Sequence, residues 1–124
     1  MIRMRRRTTS DALAALVALA SFAGCTTVYE GKYDWDEGWR VGRVVNLGVG
    51  TALAPTPPDD CRQEATPAEV ARTLYAEVAY RSEGRWLRHR VAPVPQGMTL
   101  TDGQRVYVNL HSCGDGLVKA SGGS

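Results

Sequence analysis

WLRHRVAPVPQGMTLTDGQRVYVNL, residues 86–110, is the stretch that predicts a β fold. In residues 105–110 every second side chain is apolar, which is the period of a half-buried strand. Residues 86–94 alternate in the same way, and prolines and glycines between positions 93 and 103 separate the two strands. The stretch therefore predicts a β-meander.

Two further segments have strand character. Residues 40–47 are rich in β-branched side chains and end at Gly48, and residues 117–119 follow a glycine-rich turn as a short edge strand. Short strands with one apolar side must curl or pair their edges to bury that side. We therefore expect a mainly β domain, built as a small rolled sheet or barrel of four to five short strands.

Residues 67–80 allow two interpretations. The sequence Thr66-Pro67-Ala68-Glu69 is a typical helix start, and apolar side chains then recur at helical spacing. From Leu74 onward, however, the side chains also alternate, and the strand at 86–94 needs an antiparallel partner. One interpretation is a continuous helix over 67–80; the one we favour is a helical turn at 67–71 followed by a strand from about Thr73.

The amino-terminal 24 residues have the pattern of an export signal. Four arginines, Arg3, Arg5, Arg6 and Arg7, precede an apolar run over 12–23 that ends in small residues. The run of about a dozen residues is shorter than the ~20 that a membrane-spanning helix needs. We therefore expect a signal-peptide helix that is removed, rather than a lasting membrane span.

The sequence Phe22-Ala23-Gly24-Cys25 resembles the lipobox of bacterial lipoproteins. The resemblance covers residues 1–26 only, and it implies diacylation of Cys25, cleavage before it and acylation of the new amino terminus. An Asp after the cysteine is associated with inner-membrane retention in such proteins, so Thr26 implies an outer-membrane protein that faces the periplasm. Cleavage without lipidation, giving a free periplasmic or secreted protein, is the alternative.

Length and charge restrict what the mature protein can be. Removal of residues 1–24 from the 124-residue chain leaves 100 residues, enough for one small domain at 40–124 and a tether at 25–39. The removed part holds four of the 15 basic and one of the 13 acidic residues, so 11 basic and 12 acidic groups remain. This balance lacks the basic excess of nucleic-acid-binding proteins.

The three cysteines divide into one lipid site and one pair. Once Cys25 is assigned to lipid, Cys61 and Cys113 remain, and an oxidising envelope would join them. A redox-active pair usually lies two residues apart near a helix start, unlike this spacing. The sequence therefore predicts a structural disulfide, and closing so long a loop stabilises a domain by about 4 kcal/mol.

The tether at 25–39 combines four aromatic rings with acidic residues. The rings belong to Tyr29, Tyr33, Trp35 and Trp39. Amphipathic rings lie comfortably at a membrane surface, but large aromatic side chains also supply much of a small protein core. The two interpretations are a membrane-contacting tether and a segment that packs on the domain.

Candidate catalytic residues are few. His89, His111 and Ser112 could serve a ligand-binding or hydrolytic module, which is our alternative function. Zinc sites need four ligands, and too few remain once Cys61 and Cys113 are bonded. The sequence also has no nucleophile motif of the Gly-x-Ser-x-Gly type. We therefore predict no metal, no cofactor and no catalysis, and the alternative requires both histidines to share one pocket.

The best candidate for a binding patch lies around the proposed hairpin at 81–90. It consists of Arg81, Arg85, Trp86, Arg88 and Arg90. If residue 86 belongs to the strand, Arg88 and Arg90 share a face with Trp86. Such a patch could bind anionic headgroups, lipopolysaccharide phosphates or carboxylates of an envelope protein. The alternative is a solvated sheet face whose arginines pair with Glu77, Glu83 and other acids.

Overall fold

The computed structural model describes residues 27–55 and 58–121. The predicted signal peptide at 1–24 and the predicted lipidation site Cys25 lie outside these residues and stay predictions. Among the described helices, none has the length and apolar character needed to cross a membrane.

The described residues fold mainly as β-structure with one α-helix. The elements are β1 (Val28–Tyr29), β2 (Tyr33–Asp34), β3 (Trp39–Val49), α1 (Pro67–Arg72), β4 (Leu74–Arg81), β5 (Leu87–Pro93), β6 (Arg105–Asn109) and β7 (Leu117–Lys119). Strands β3 to β7 form one antiparallel sheet in the order β5-β4-β3-β6-β7, and β1 and β2 form a separate hairpin. The predicted mainly β fold is confirmed, and within the described chain the sheet is open, with β5 and β7 at its edges.

The segment at 66–81 is a short helix followed by a strand, as we favoured. Thr66 caps α1 through its Oγ1, which accepts a hydrogen bond from the backbone N–H of Glu69 at 3.2 Å. The helix ends at Arg72, and Leu74 begins β4. Because β4 pairs with β3 on one side and β5 on the other, sheet pairing prevails over the helical spacing of its side chains.

One face of the sheet carries the hydrophobic core. The buried cluster comprises Val44, Ala76, Val78, Tyr80, Ala92, Val106, Val108 and Leu117 from the strands, with Cys61, Val94 and Leu100 from the loops. The strand residues alternate with outward-facing neighbours, as the sheet period requires. The connecting loops therefore pack against this face of the sheet. In the described chain, they do not cover the opposite face.

A β-bulge at Val45 bends the long strand β3. Val44 pairs with Val78, but the next pair joins Asn46 to Glu77, so Val45 has no partner in β4. The extra residue shifts the alternation, so that Val44 and Leu47 both pack in the core. The side chain of Val45 remains 37% exposed on the opposite face.

The structure brings Cys61 and Cys113 together, as the sequence predicted. Their Cα atoms lie 5.6 Å apart, at disulfide distance. Cys61 begins a 3₁₀ turn that runs beside β5, where the backbone N–H of Val91 donates to the carbonyl oxygen of Asp59 at 2.9 Å. Cys113 follows β6. The bond thus links the two halves of the sheet across the core face.

The rings at the amino-terminal end pack on the sheet. Tyr29 and Tyr33, on the hairpin of β1 and β2, stack on Tyr107 of β6 with ring centroids 5.3 and 4.9 Å apart. Tyr33 also meets the edge of Trp39 at 4.8 Å. Of our two interpretations, the structure agrees with the one in which the rings pack on the domain. We call β1 and β2 the aromatic hairpin.

Replacement of Gly42 by Ala should destabilise the fold. An ideal Cβ at Gly42 would lie 2.6 Å from Cγ1 of Val78 and 2.7 Å from the backbone oxygen of Ala79. Overpacking of this kind costs about 1 to 3 kcal/mol in unfolding free energy. Denaturant titration measures the change, and Gly114→Ala is the matched control because nothing lies within 4 Å of its added methyl group. Equal stabilities of the two variants would contradict the packing described for β3 and β4.

Candidate functional site

Four of the five predicted patch residues are exposed around the turn between β4 and β5. Arg81 ends β4, Arg85 and Trp86 lie in the turn, and Arg88 is in β5. The side chain of Trp86 is 78% exposed, and that of the next residue, Leu87, is 57% exposed. Because the two residues are adjacent, they contribute to one exposed apolar patch, and such patches can mark interaction surfaces.

Arg90 does not belong to this exposed patch. Its residue is 6% exposed, because strand alternation turns it toward the core side of the sheet. Arg88 and Arg90 share the core side of β5, opposite Tyr80 and Val78, but Trp86 precedes the first residue of the strand and does not share that face. Strand alternation is visible in the sequence, but which of the two faces is buried depends on how the sheet packs.

Arg90 instead takes part in a buried polar cluster. Its Nη1 lies 3.9 Å from Oδ1 of Asp59, and its Nη2 donates to the backbone oxygen of Ser112 at 3.3 Å and contacts Sγ of Cys113 at 3.4 Å. The hydroxyl of Tyr80 donates to Oδ2 of Asp59 at 2.5 Å. Burial, followed by this bond to a carboxylate, raises the pKa of Tyr80 to about 12. The cluster ties β4 and β5 to the disulfide.

The exposed arginines do not pair with the acids considered in the sequence. Glu77 accepts a hydrogen bond from Nδ2 of Asn46 at 3.1 Å, and its other oxygen lies 2.7 Å from Nδ1 of His89. Within residues 27–55 and 58–121, no carboxylate lies within ion-pair distance of Arg81, Arg85 or Arg88. Among the patch arginines of the described chain, only Arg90 is in an ion pair, with Asp59.

The face of the sheet opposite the core forms a shallow concavity of about 500 Å³. Its lining includes Val41, Arg43, Val45, Ala79, Arg81, Leu87 and Arg105, and we call this surface the open face. The valine, alanine and leucine side chains form an apolar floor, and three guanidinium groups border it. Among the described residues, no carboxylate lines the concavity. The surface therefore combines exposed apolar area with uncompensated positive charge.

Two of these arginines are direct cross-strand neighbours. Arg43 of β3 and Arg105 of β6 are opposite each other in the antiparallel register. Like charges in this position destabilise a sheet. Arg43 donates from Nη1 to the backbone oxygen of Gly103 at 2.9 Å, and neither arginine has an ion-pair partner in the described chain. Their placement therefore lowers the stability of the sheet.

The aromatic hairpin covers the sheet beside the open face. Its tyrosines rest on Tyr107, which stands two residues from Arg105 on the same strand and therefore on the same face. Burial raises the pKa of Tyr107, and the nearby carboxylate of Glu30 adds to the shift. The carboxylate of Glu30 also accepts a hydrogen bond from the backbone N–H of Ser121 at 3.1 Å. The hairpin thus borders the open face on the β6 side.

The structure does not unite the residues of the predicted alternative site. His89 contacts Glu77 in the sheet, whereas His111 and Ser112 follow β6 and line a separate cavity of about 180 Å³ that does not include His89. The backbone N–H of His111 donates to Oδ1 of Asn109 at 2.7 Å. Among the residues that the structure describes, no group of three or more histidine, cysteine or acidic side chains could hold a metal ion.

Sequence reasoning missed the middle of the open face. Arg43 and Val45 were part of a predicted strand, but nothing local to that strand shows that β6 lies beside it. The sequence does hold one signal, the alternation of side chains along β3. Val41 and Arg43 fall on one face of the strand, and Gly42 and Val44 fall on the other, so the first face carries both an apolar and a charged side chain.

Comparison with known proteins gives no match for this chain. No protein-family model, curated protein or solved structure matches it. The site is therefore defined by its own geometry and charge.

Replacement of Tyr80 by Phe should reduce the pH dependence of stability in alkali. Tyr80 has an ordinary pKa of 10 and a folded-state pKa of about 12, so its protonated hydroxyl stabilises the fold fully below pH 10. That contribution is lost as the pH rises through 12, and it amounts to about 2 kcal/mol. Denaturant unfolding from about pH 9 to about pH 12 measures it. Parallel curves for the wild type and Tyr80→Phe would contradict the shift.

Replacement of Arg105 by Gln should stabilise the fold at low ionic strength. The change removes the like-charged neighbour of Arg43, and we expect the unfolding free energy to rise by about 0.2 to 1 kcal/mol. The gain should shrink at high salt, which screens exposed charges. Lys119→Gln, at an exposed edge position opposite Val106, is the control and should change stability little. If Arg105→Gln destabilises the protein at low salt, the guanidinium group of Arg105 makes a net favourable interaction in the folded state. This result would contradict the repulsion proposed between Arg43 and Arg105.

Proposed function

We propose that the chain is a lipid-anchored protein of the bacterial cell envelope. Its β domain then acts as a non-catalytic module that binds a membrane surface or an envelope protein. The observation that carries the binding role is the open face, where Arg43, Arg81 and Arg105 border an apolar floor that no carboxylate lines. Uncompensated charge beside exposed apolar side chains is typical of recognition surfaces.

The proposed anchor is Cys25. Its support is the lipobox-like sequence that ends at this residue and the four arginines near the amino terminus. Each buried methylene contributes about 0.8 kcal/mol, so two or more acyl chains hold a protein on a bilayer essentially permanently. Thr26, which follows the cysteine, favours delivery to the outer membrane, with the domain facing the periplasm.

The proposed compartment is consistent with the chemistry of the remaining cysteines. Disulfides persist in oxidising compartments such as the periplasm and are rare in the reducing cytosol. The disulfide distance between Cys61 and Cys113 therefore supports an exported domain. The bond also lies against Arg90 and the core, which favours a structural role over a catalytic one.

The non-catalytic role is supported by the positions of the candidate catalytic groups. His89 is held by Glu77 in the sheet, and His111 and Ser112 line a different cavity. General acid–base or nucleophilic catalysis needs such groups within hydrogen-bonding reach of one reacting centre. The charged side chains that line the open face are arginines, which can attract an anionic ligand. Arginine side chains do not act as nucleophiles.

Replacement of Cys25 by Ala should release the protein from the membrane. We expect the wild-type protein in the membrane fraction of the cells, with an intact mass that shows a mature chain beginning at an acylated Cys25. Cys25→Ala removes the acceptor thiol, so it should lose both the mass increment and the membrane association.

Thr27→Ala is the matched control. Its side chain is exposed, and only its backbone oxygen is engaged, as the acceptor for Trp35 N–H at 2.9 Å. This variant should stay lipidated and membrane-bound. A mature wild-type chain with an unmodified Cys25 would contradict the proposal and favour a free periplasmic or secreted protein.

A further inference from the structure

The turn between β4 and β5 carries apolar side chains at the exposed end of the open face. Trp86 and Leu87 are the two most exposed large apolar side chains in the described part of the protein, and Leu87 also lines the open face. Trp86 lies next to Arg85, and Leu87 pairs across the strands with Arg81. An indole next to guanidinium groups suits the boundary between lipid headgroups and acyl chains.

The charged side chains that line the open face are all arginines. They are Arg43, Arg81 and Arg105, and Arg85 lies next to Trp86 in the turn that also carries Glu83. Within the described ranges, none of these four arginines is in an ion pair. A guanidinium group binds phosphate through a planar set of donors, and several of them together attract an anionic lipid surface. The chemistry that complements this region is a layer of phosphate headgroups over an apolar interior.

The position of the amino terminus relates the proposed anchor to the same surface. Thr27 directly precedes the aromatic hairpin, and its backbone oxygen accepts a hydrogen bond from Trp35 N–H at 2.9 Å. This hairpin packs on Tyr107, on the face that also carries Arg105. Cys25 precedes Thr27 by two residues, and two residues of extended chain reach at most about 7 Å. An acylated Cys25 would therefore tether the domain beside the aromatic hairpin, which borders the open face.

The open face is less suited to a protein strand. Strand β4 pairs with β3 on one side and with β5 on the other, and β3 pairs with β6 as well over residues 39–43, so these parts have no free edge for an added strand. A lipid surface needs only side-chain contacts, and the anchor holds it at a high effective concentration.

We propose that the open face, together with Arg85 and Trp86 of the adjoining turn, docks on an anionic phospholipid bilayer. The docking rests on the proposed lipid anchor, since the anchor holds the domain at the membrane. Trp86 enters the headgroup region, the guanidinium groups of the open face bind lipid phosphates, and Leu87 and Val45 meet the outer ends of the acyl chains.

The test follows Trp86 in the complete lipidated protein. The protein is purified from membranes and reconstituted into vesicles of phosphatidylcholine alone or mixed with phosphatidylglycerol, both with brominated acyl chains. Bromine quenches tryptophan emission at short range, and subtracting the emission of Trp86→Phe removes the signals of Trp35 and Trp39. We expect quenching of Trp86 by about two-fold or more in the anionic vesicles, weakened by salt and small in the neutral ones.

Charge-reversed variants identify the surface. R43E/R105E should abolish the extra quenching in anionic vesicles, and R72E/K119E, with the same change in net charge at exposed positions off the open face, should retain it. Arg85→Glu, at an exposed turn position, is a second variant in case the first does not fold, and it should weaken the quenching.

The outcomes separate this inference from the proposed function. If the intact mass shows an acylated Cys25 but Trp86 is not quenched, or is quenched equally in neutral vesicles, the docking inference is overturned and the anchored binding module stands. If Cys25 is unmodified, both are overturned. Retained quenching in folded R43E/R105E would also overturn the role given to the open face.

Discussion

A single-layer sheet has two faces, and in the described part of the chain the loops cover only one. The loop before α1 brings Cys61 to the core face, and the loop between β5 and β6 brings Val94 and Leu100 to it. On the other side, the aromatic hairpin reaches Tyr107 and leaves β4 and half of β3 uncovered. Every functional feature described here follows from this asymmetry, because the uncovered half is where apolar side chains and arginines meet solvent.

The fold compensates for a small core with links between distant parts of the chain. The disulfide joins the loop beside β5 to the connection after β6, and a bond of this span contributes about 4 kcal/mol by restricting the unfolded chain. Asp59 and Arg90 add a buried polar cluster next to it. These links hold the core face together and allow the open face to tolerate the repulsion between Arg43 and Arg105.

Much of the local structure could be predicted from the sequence. Which strands lie next to each other in the sheet could not. Alternation and turn residues indicated the strand at 105–109, and the cap at Thr66 indicated a short helix before β4. The long-range order of strands is not encoded in such periods, so the contact of Arg43 with Arg105 was missed. Alternation also placed Arg90 on one side of its strand without showing that this side faces the core. The bulge at Val45, which exposes that side chain on the open face, has no local signal in the sequence.

The central claim is that the open face lies against an anionic membrane, and hydroxyl-radical footprinting of the lipidated protein on such a membrane tests it most directly. The measured quantity is the oxidation of Trp86 and Leu87 relative to Leu74, which is 42% exposed at the opposite end of β4 and does not line the open face. The account predicts that oxidation of Trp86 and Leu87 falls on anionic bilayers compared with neutral ones, while that of Leu74 is unchanged. Equal oxidation of Trp86 and Leu87 on both bilayers would contradict it.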